Sequence, residues 1–369
     1  MKNLDRIQPD QIPGRISEVI EIPRSKDLMV QTRILQELLR DLESQSSPGS
    51  ALFLVQTESS NEEAPQIESV DRATGLDEMD VDYLLKNSKV LIDSGEFELA
   101  RNLCMKVLTT GKRNAESLHT IARTFIMENK IDLAEKALTD AIAYGASAEA
   151  YLDLSRVHLN RSRYREAADT LKRATRFEVT DSSKKYEIFK ALGNCYLKTD
   201  ELDSAIEAYR SALDIKEKSS EVLTNMGAAY LRMHQYVDAI ECYRRAIEIN
   251  PENAKAFFGL ASCSMGKGDK KIAHDLLLKS LRIDINQPTA VFYLIKYAYE
   301  TKTYEPSEKI VRNYIAHSAA SPSLLYSLAG LQYHAKKFSE ARETLAQLFE
   351  IKPDHSGGIK LRALLPVQK

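Results

Sequence analysis

The chain is short of the features that mark several common protein classes. It carries four cysteines, Cys104, Cys195, Cys242 and Cys263. No two form a C-x-x-C pair or stand at zinc-ligand spacing, so neither a disulfide framework nor a zinc site is expected. Four reduced thiols packed as small apolar groups are expected instead. Charge of one sign is not in excess: 51 Lys and Arg stand against 53 Asp and Glu, a formal net charge of −2. That balance gives no overall pull toward nucleic acid or an anionic membrane. No apolar run approaches the ~18 residues that a bilayer crossing needs. The first residues, MKNLDRIQPDQIPG, hold no apolar stretch of the secretory-signal kind. A cytoplasmic protein without membrane insertion is therefore expected. Apolar residues still make up 43% of the chain, enough to bury a core.

Chemistry-bearing patterns are equally sparse. The seven histidines are scattered, and no two form an i,i+4 pair around a glutamate, so no metal is expected. GKGDKK (266–271) lacks the G-x-x-x-x-G-K-[ST] spacing of a phosphate loop. GNC (193–195) has no base in fixed relation to its thiol. With no nucleophile, acid–base or cofactor set, no enzyme activity is expected.

What the chain does hold is self-similarity. Phe189, Leu192, Gly193 and Tyr196 are followed by Ala205, Tyr209 and Ala212. Thirty-four residues later come Leu223, Met226, Gly227 and Tyr230, then Ala239, Tyr243, Ala246 and Pro251. The first apolar position of the frame recurs at Leu84, Leu118, Tyr151, Phe189, Leu223, Phe257, Val291 and Leu325. A small residue follows sixteen later each time: Ala100, Ala134, Ala167, Ala205, Ala239, Ala273, Ser307 and Ala341. Within each unit apolar residues step by three and four, the mark of two amphipathic helices. Gly95, Asn129, Ser162, Asp200 and Gly268 mark the turn between them. Pro288 and Pro322 open first helices, where a missing N–H costs little. One spacing, between Tyr151 and Phe189, is 38 residues rather than 33 or 34. A lengthened turn near FEVTDSSKK (177–185) is expected there.

This pattern resembles the tetratricopeptide repeat (TPR), W-x2-L-G-x2-Y…A-x3-F…A…P. Tryptophan is absent, and Leu, Tyr, Phe or Val takes the leading aromatic position. The seventh unit departs furthest, with Ser307 at the small position and Ile295 where Gly or Ala is usual. The resemblance implies an all-α, right-handed superhelical α-solenoid of eight helix pairs over residues 81–355. A short capping helix is expected over 356–369, with Ile359, Ala363 and Leu364 against the last repeat.

Residues 1–80 stand outside the frame. Asp27 to Glu43 reads as an amphipathic helix with Leu28, Ile34, Leu35, Leu38, Leu39 and Leu42 on one side. ALFLVQ (51–56) is a short apolar run. Residues 57–80 hold eight acids against one base and read as a flexible acidic linker.

The resemblance further implies that first helices line a concave groove through repeat positions 2, 5, 6, 9, 12 and 13. Position 9 opens with Lys89, Arg123 and Arg156, a basic ladder. Lys86, Lys190, Arg232, Lys255 and Lys296 add positive charge, and Phe258, Phe292, Tyr293 and Tyr326 make the later lining aromatic. Such a face suits a protein segment with acidic and apolar residues. Lys190, Asn194, Asn225 and Lys255 also match four of the five positions with which some TPR proteins hold a terminal carboxylate; Gly259 replaces the fifth, an arginine. The expected function is a scaffold or adaptor that binds protein partners in this groove, with the chain's own N-terminal segment as a competing occupant. Two alternatives stay open: a regulatory subunit of a bacterial motility, secretion or signalling complex, and an RNA-binding helical repeat.

Overall fold

The computed structural model describes residues 76–318 and 320–366. The sequence-predicted helix at 27–43, the apolar run at 51–56 and most of the acidic linker lie outside the described residues. The described residues form seventeen helices and no strand. They fall into two compact units that divide between Val179 and Thr180.

The first unit holds α1 (Glu78–Asp93), α2 (Phe97–Leu108), α3 (Asn114–Met127), α4 (Ile131–Ala143), α5 (Ala148–Asn160) and α6 (Tyr164–Ala174). The second holds α7 (Ser182–Thr199), α8 (Leu202–Ile215), α9 (Ser220–Arg232), α10 (Tyr236–Ile249), α11 (Ala254–Lys267), α12 (Lys270–Ile283), α13 (Pro288–Thr301), α14 (Tyr304–His317), α15 (Pro322–His334), α16 (Phe338–Ile351) and α17 (Ser356–Leu364). Odd-numbered helices up to α15 are the first members of pairs, and the even-numbered ones are the second.

The periodic positions explain the pairing. All eight small residues of the second helices are 0% exposed. A larger side chain there would hold the partner helix away. Each pair turns through a residue in the left-handed region: Gly95, Asn129, Ser162, Asp200, His234, Gly268, Lys302 and Lys336. In every pair the N–H following that residue reaches back to a carbonyl five residues earlier, as in Lys130 to Phe125 at 2.8 Å and Lys337 to Gln332 at 2.9 Å. This Schellman closure satisfies the helix-end carbonyls and reverses the chain in a fixed way. His234, Lys302 and Lys336 carry the turn although their residue type gives no hint of it. Pro288 and Pro322 stand at the first helical position of α13 and α15, where their missing N–H is not needed.

Three features differ from the sequence reading. The four extra residues between Tyr151 and Phe189 do not lengthen a loop alone. Ser182–Lys185 add one helical turn to the front of α7, so Phe189 is its eighth residue, where Leu223 is the fourth of α9. Asp181 caps that turn by accepting from the Ser183 and Lys184 N–H groups. Second, Asp77 and Asp80 belong to the fold: they form a reciprocal capping box at the start of α1, with bonds of 2.9 and 3.1 Å. Third, α17 turns the opposite face inward. Gly358, Leu361 and Leu365 are buried, while Ile359 and Leu364 stay 52% and 63% exposed. Gly358 decides this, because a Cβ there would lie 2.8 Å from Leu348 Cδ2. The glycine lets the short helix settle on α16 through its own backbone.

Candidate functional site

In the first unit, α1, α3 and α5 carry the basic ladder. The structure gives two of its three members a counter-charge. Lys89 Nζ donates to Glu116 at 2.8 Å, and Arg156 to Asp153 at 2.8 Å. Arg113 also pairs with Asp82 and Glu116. His119 Nε2 lies 2.9 Å from the other oxygen of Asp153. Burial opposes ionisation of Glu116 and Asp153. Lys89 and Arg113 around the one, and His119 and Arg156 around the other, overcome it and hold both carboxyls below their ordinary values. Arg123, half-buried between these two clusters, makes no ion pair with a described residue. Among the described residues, the ladder is thus one unpaired guanidinium and two neutralised cations. The acids responsible stand at repeat positions 2 and 6, and position 2 is acidic in five successive repeats: Asp82, Glu116, Glu149, Glu187 and Glu221. Position 9 alone hides them.

In the second unit, Lys190, Asn194 and Asn225 come together, already engaged with the protein itself. Lys190 Nζ lies 3.1 Å from Glu187 and 3.3 Å from Glu221. Burial works against its charge, and the two carboxylates overcome this and raise its pKa. Asn194 Oδ1 accepts from both Tyr209 Oη at 2.8 Å and Asn225 Nδ2 at 2.9 Å. Gly259 is filled space rather than a gap: a Cβ there would lie 2.6 Å from Tyr243 Cε2 and nearer still to Cζ. No arginine fits without displacing that buried ring. Arg232 is turned to the neighbouring first helix, donating to the Leu197 carbonyl at 2.6 Å. Lys255 is exposed and has no ion pair among the described residues.

The later first helices are different. Phe292 is 64% exposed, and Tyr299 and Tyr326 are 37% and 39% exposed. Phe258 and Tyr293 are half-buried against one apolar cluster. Phe292 and Tyr293 meet edge to face with centroids 5.4 Å apart, and Lys296 extends over the neighbouring Tyr297 ring. An apolar residue as exposed as Phe292 contributes little to the fold and much to a surface that excludes water when covered.

All four cysteines are buried. Burial pushes Cys104 and Cys195 up to about 12, and Cys242 and Cys263 up to about 11. Their thiolates are suppressed at neutral pH, so they serve as packing. Among the described residues there is no group of three His, Cys, Asp or Glu side chains able to hold a metal ion. No described helix is long and apolar enough to cross a membrane.

Tetratricopeptide repeat models match residues 119–179, 187–219 and 220–253. No curated protein matches the chain. Among solved structures, the C-terminal part of a TPR repeat-containing protein from Cytophaga hutchinsonii is similar at 14% identity and a TM-score of 0.52, over 66% of this chain and 99% of that one. A tetratricopeptide repeat protein from Parabacteroides merdae is similar at 14% identity and a TM-score of 0.47, over 69% and 99%. PilF from Pseudomonas aeruginosa shares 22% identity at a TM-score of 0.44, over 58% and 96%. The eight Schellman-closed helix pairs, the eight buried small positions and the matching repeat models together make the chain a member of the tetratricopeptide repeat superfamily.

Proposed function

We propose that the chain is a protein-interaction scaffold that holds an extended, partly acidic segment of a partner along the faces of its first helices. The exposure of Phe292 carries this reading, with Tyr299 and Tyr326 beside it in the repeat frame. A stack of helices presents no free sheet edge, so recognition must come from side chains. Exposed aromatics supply contact area at low entropic cost, and free cations supply selection for acids. In the first unit that role falls to Arg123, the ladder member without a counter-ion among the described residues.

Reversing Arg123 and Arg156 together to Glu is expected to abolish capture of the partner in an affinity pull-down, while circular dichroism shows unchanged helix content. Arg156 is exposed, and Arg123 is half-buried without an ion pair among the described residues, so the fold should tolerate the change. Capture equal to wild type would sink the ladder's role.

A second occupant is favoured by composition. Residues 51–75 join the apolar run ALFLVQ to five acids against one base. Tethered to the same chain, they compete at an effective concentration up to the millimolar range. Deleting residues 1–75 is expected to tighten partner binding in a titration; unchanged or weaker binding counts against self-occupancy.

A further inference from the structure

Within each unit, a first helix that follows another repeat packs one side on that repeat's second helix: α3 on α2, α5 on α4, α9 on α8, α11 on α10, α13 on α12 and α15 on α14. Two repeat positions seven residues apart, and so on one stripe of the helix, mark this seam. Position 3 holds Ser117, Ala150, Val222, Ala256 and Ala290, all 0% exposed. Position 10 holds Thr124, Val157, Ala229, Cys263 and Leu331, of which Val157 at 2% is the most exposed. Arg101, on α2, crosses the first seam to donate to the Thr124 hydroxyl at 3.1 Å. In α1 the same two positions are Tyr83 and Val90. No second helix precedes α1 among the described residues. Val90 is 46% exposed, Met79, one turn ahead of Tyr83, is 65% exposed, and Tyr83 is half-buried. A terminal repeat needs a polar outer face. The outer stripe of α1 is apolar, and it lies at positions other than those of the groove.

We propose that residues 27–43 of the same chain dock on this stripe as a helix and so supply the missing half-repeat at the front of the array. The seams of the later repeats are all covered by helices, such as α2 with 12 residues, α4 with 13 and α8 with 14. Residues 27–43 are long enough to do the same. Leu28, Leu35 and Leu42 recur every seven residues, with Leu38 and Leu39 beside them, whereas Arg33, Glu37, Arg40 and Asp41 fall on the other side. A one-sided stripe suits a terminal cover, because nothing lies beyond it. Tyr83 is bulkier than the Ser, Ala or Val at that position in the later repeats, so the cover must reach it with long side chains, which leucines provide. The tether ends at the right place: residues 44–75 lead directly to the helix that bears the stripe. The cost of closing such a loop grows only with the logarithm of its length, and tethering gives an effective concentration up to the millimolar range. Charge agrees. Lys86 is exposed beside the stripe and makes no ion pair with a described residue, and residues 27–43 hold four acids against two bases. A second copy that laid its own α1 on this one would cover the stripe too. It would leave the leucines of 27–43 in water, whereas docking within the chain covers both surfaces at once.

The test is amide hydrogen exchange of the full chain, followed by mass spectrometry at several protein concentrations, with the molecular mass read by sedimentation. Amides of residues 27–43 should exchange at least about tenfold more slowly than in the denatured chain, at every concentration and in a monomer. Met79→Glu combined with Val90→Glu places two charges on the stripe and should remove that protection, at least about tenfold, while α3 to α6 keep theirs. Both side chains are exposed in α1, so this variant reports on docking rather than on the fold of the array. Leu35→Glu combined with Leu38→Glu, on the docking segment itself, should remove the same protection without touching any described residue. The proposal is overturned if residues 27–43 exchange as fast as in the denatured chain. It is equally overturned if their protection survives Met79→Glu with Val90→Glu, which would mean that the segment packs elsewhere, or survives the Leu35 and Leu38 changes. Protection that rises with concentration together with a dimer mass would give the stripe to a second copy and overturn docking within the chain.

Discussion

Gly259→Arg is expected to break the packing of the sixth repeat rather than to complete a carboxylate grip. From the repeat frame the substitution looks like the restoration of a missing ligand. In the structure the site of its Cβ is taken by the Tyr243 ring, 2% exposed and also lying against Gly227. Adding even a methyl group overpacks a filled core, at about 1–3 kcal/mol. An arginine must also carry its charge out past the ring, so a cost above about 3 kcal/mol is expected. Repeat arrays are stabilised by nearest-neighbour contacts, so the loss should concentrate in α9 to α12. Urea denaturation followed by circular dichroism reads the effect. Phe292→Ala, on an exposed part of the same frame, should stay within about 0.5 kcal/mol of wild type. A Gly259→Arg midpoint equal to wild type would mean that the Tyr243 ring can swing away, and the carboxylate grip would return to consideration.

The contrast shows what the residue pattern reveals. Helix pairs, the alanine row and five of the eight turn residues are legible, because each is a direct steric demand on residue type. His234, Lys302 and Lys336 are not legible: the Schellman closure forces φ near 60° on them despite their side chains. The extra turn of α7 is hidden because an insertion shows only as a count, and helix or loop can absorb it. The inward face of α17 is missed because apolar periodicity points to Ile359 and Leu364, while the deciding residue, Gly358, has no side chain to read. For the candidate site, the position of each cation is legible and its charge state is not. Lys89, Arg156 and Lys190 lose their freedom to acids one repeat along or one helical turn away. Only the three-dimensional juxtaposition of Glu116, Asp153 and Glu221 reveals this. Of the later aromatics, Phe292 keeps its exposure, whereas Phe258 is half-buried in an apolar cluster and the Tyr326 ring lies 5.1 Å from that of His355.

Lys337→Met is expected to cost about 3 kcal/mol, because it strands a charge in the core of the seventh repeat. Glu308, on α14, is 0% exposed. Lys337, at the start of α16, donates to its Oε2 at 2.9 Å, and Arg312 lies 2.5 Å from Oε1. Burial opposes ionisation of Glu308, and these two cations overcome it and lower its pKa. Removing Lys337 leaves the carboxylate buried with one partner, whereas Glu308→Leu combined with Lys337→Met removes both charges and should recover most of the loss. A single-variant cost below about 0.5 kcal/mol would mean that the pair behaves as a surface contact. The neighbouring residue explains why this repeat departs from the family pattern. Ser307 replaces alanine because the buried His274 places Nε2 2.7 Å from its hydroxyl, with the Thr303 hydroxyl at 3.1 Å. Burial depresses the His274 pKa, and Asp275, 3.6 Å from Nδ1, offsets this only in part. Acid should therefore act in two windows. Below pH ~6.5 the unfolded chain protonates this histidine before the native state does, so stability begins to fall there. Below pH ~4.3 the unfolded chain protonates Glu308 first, and a second fall begins. Urea midpoints measured from pH ~7 to ~3.5 should show both slopes in wild type. The double variant should keep the upper slope and lose the Glu308 share of the lower one. An upper slope that is unchanged when His274→Gln is introduced would show that the buried imidazole is not its source.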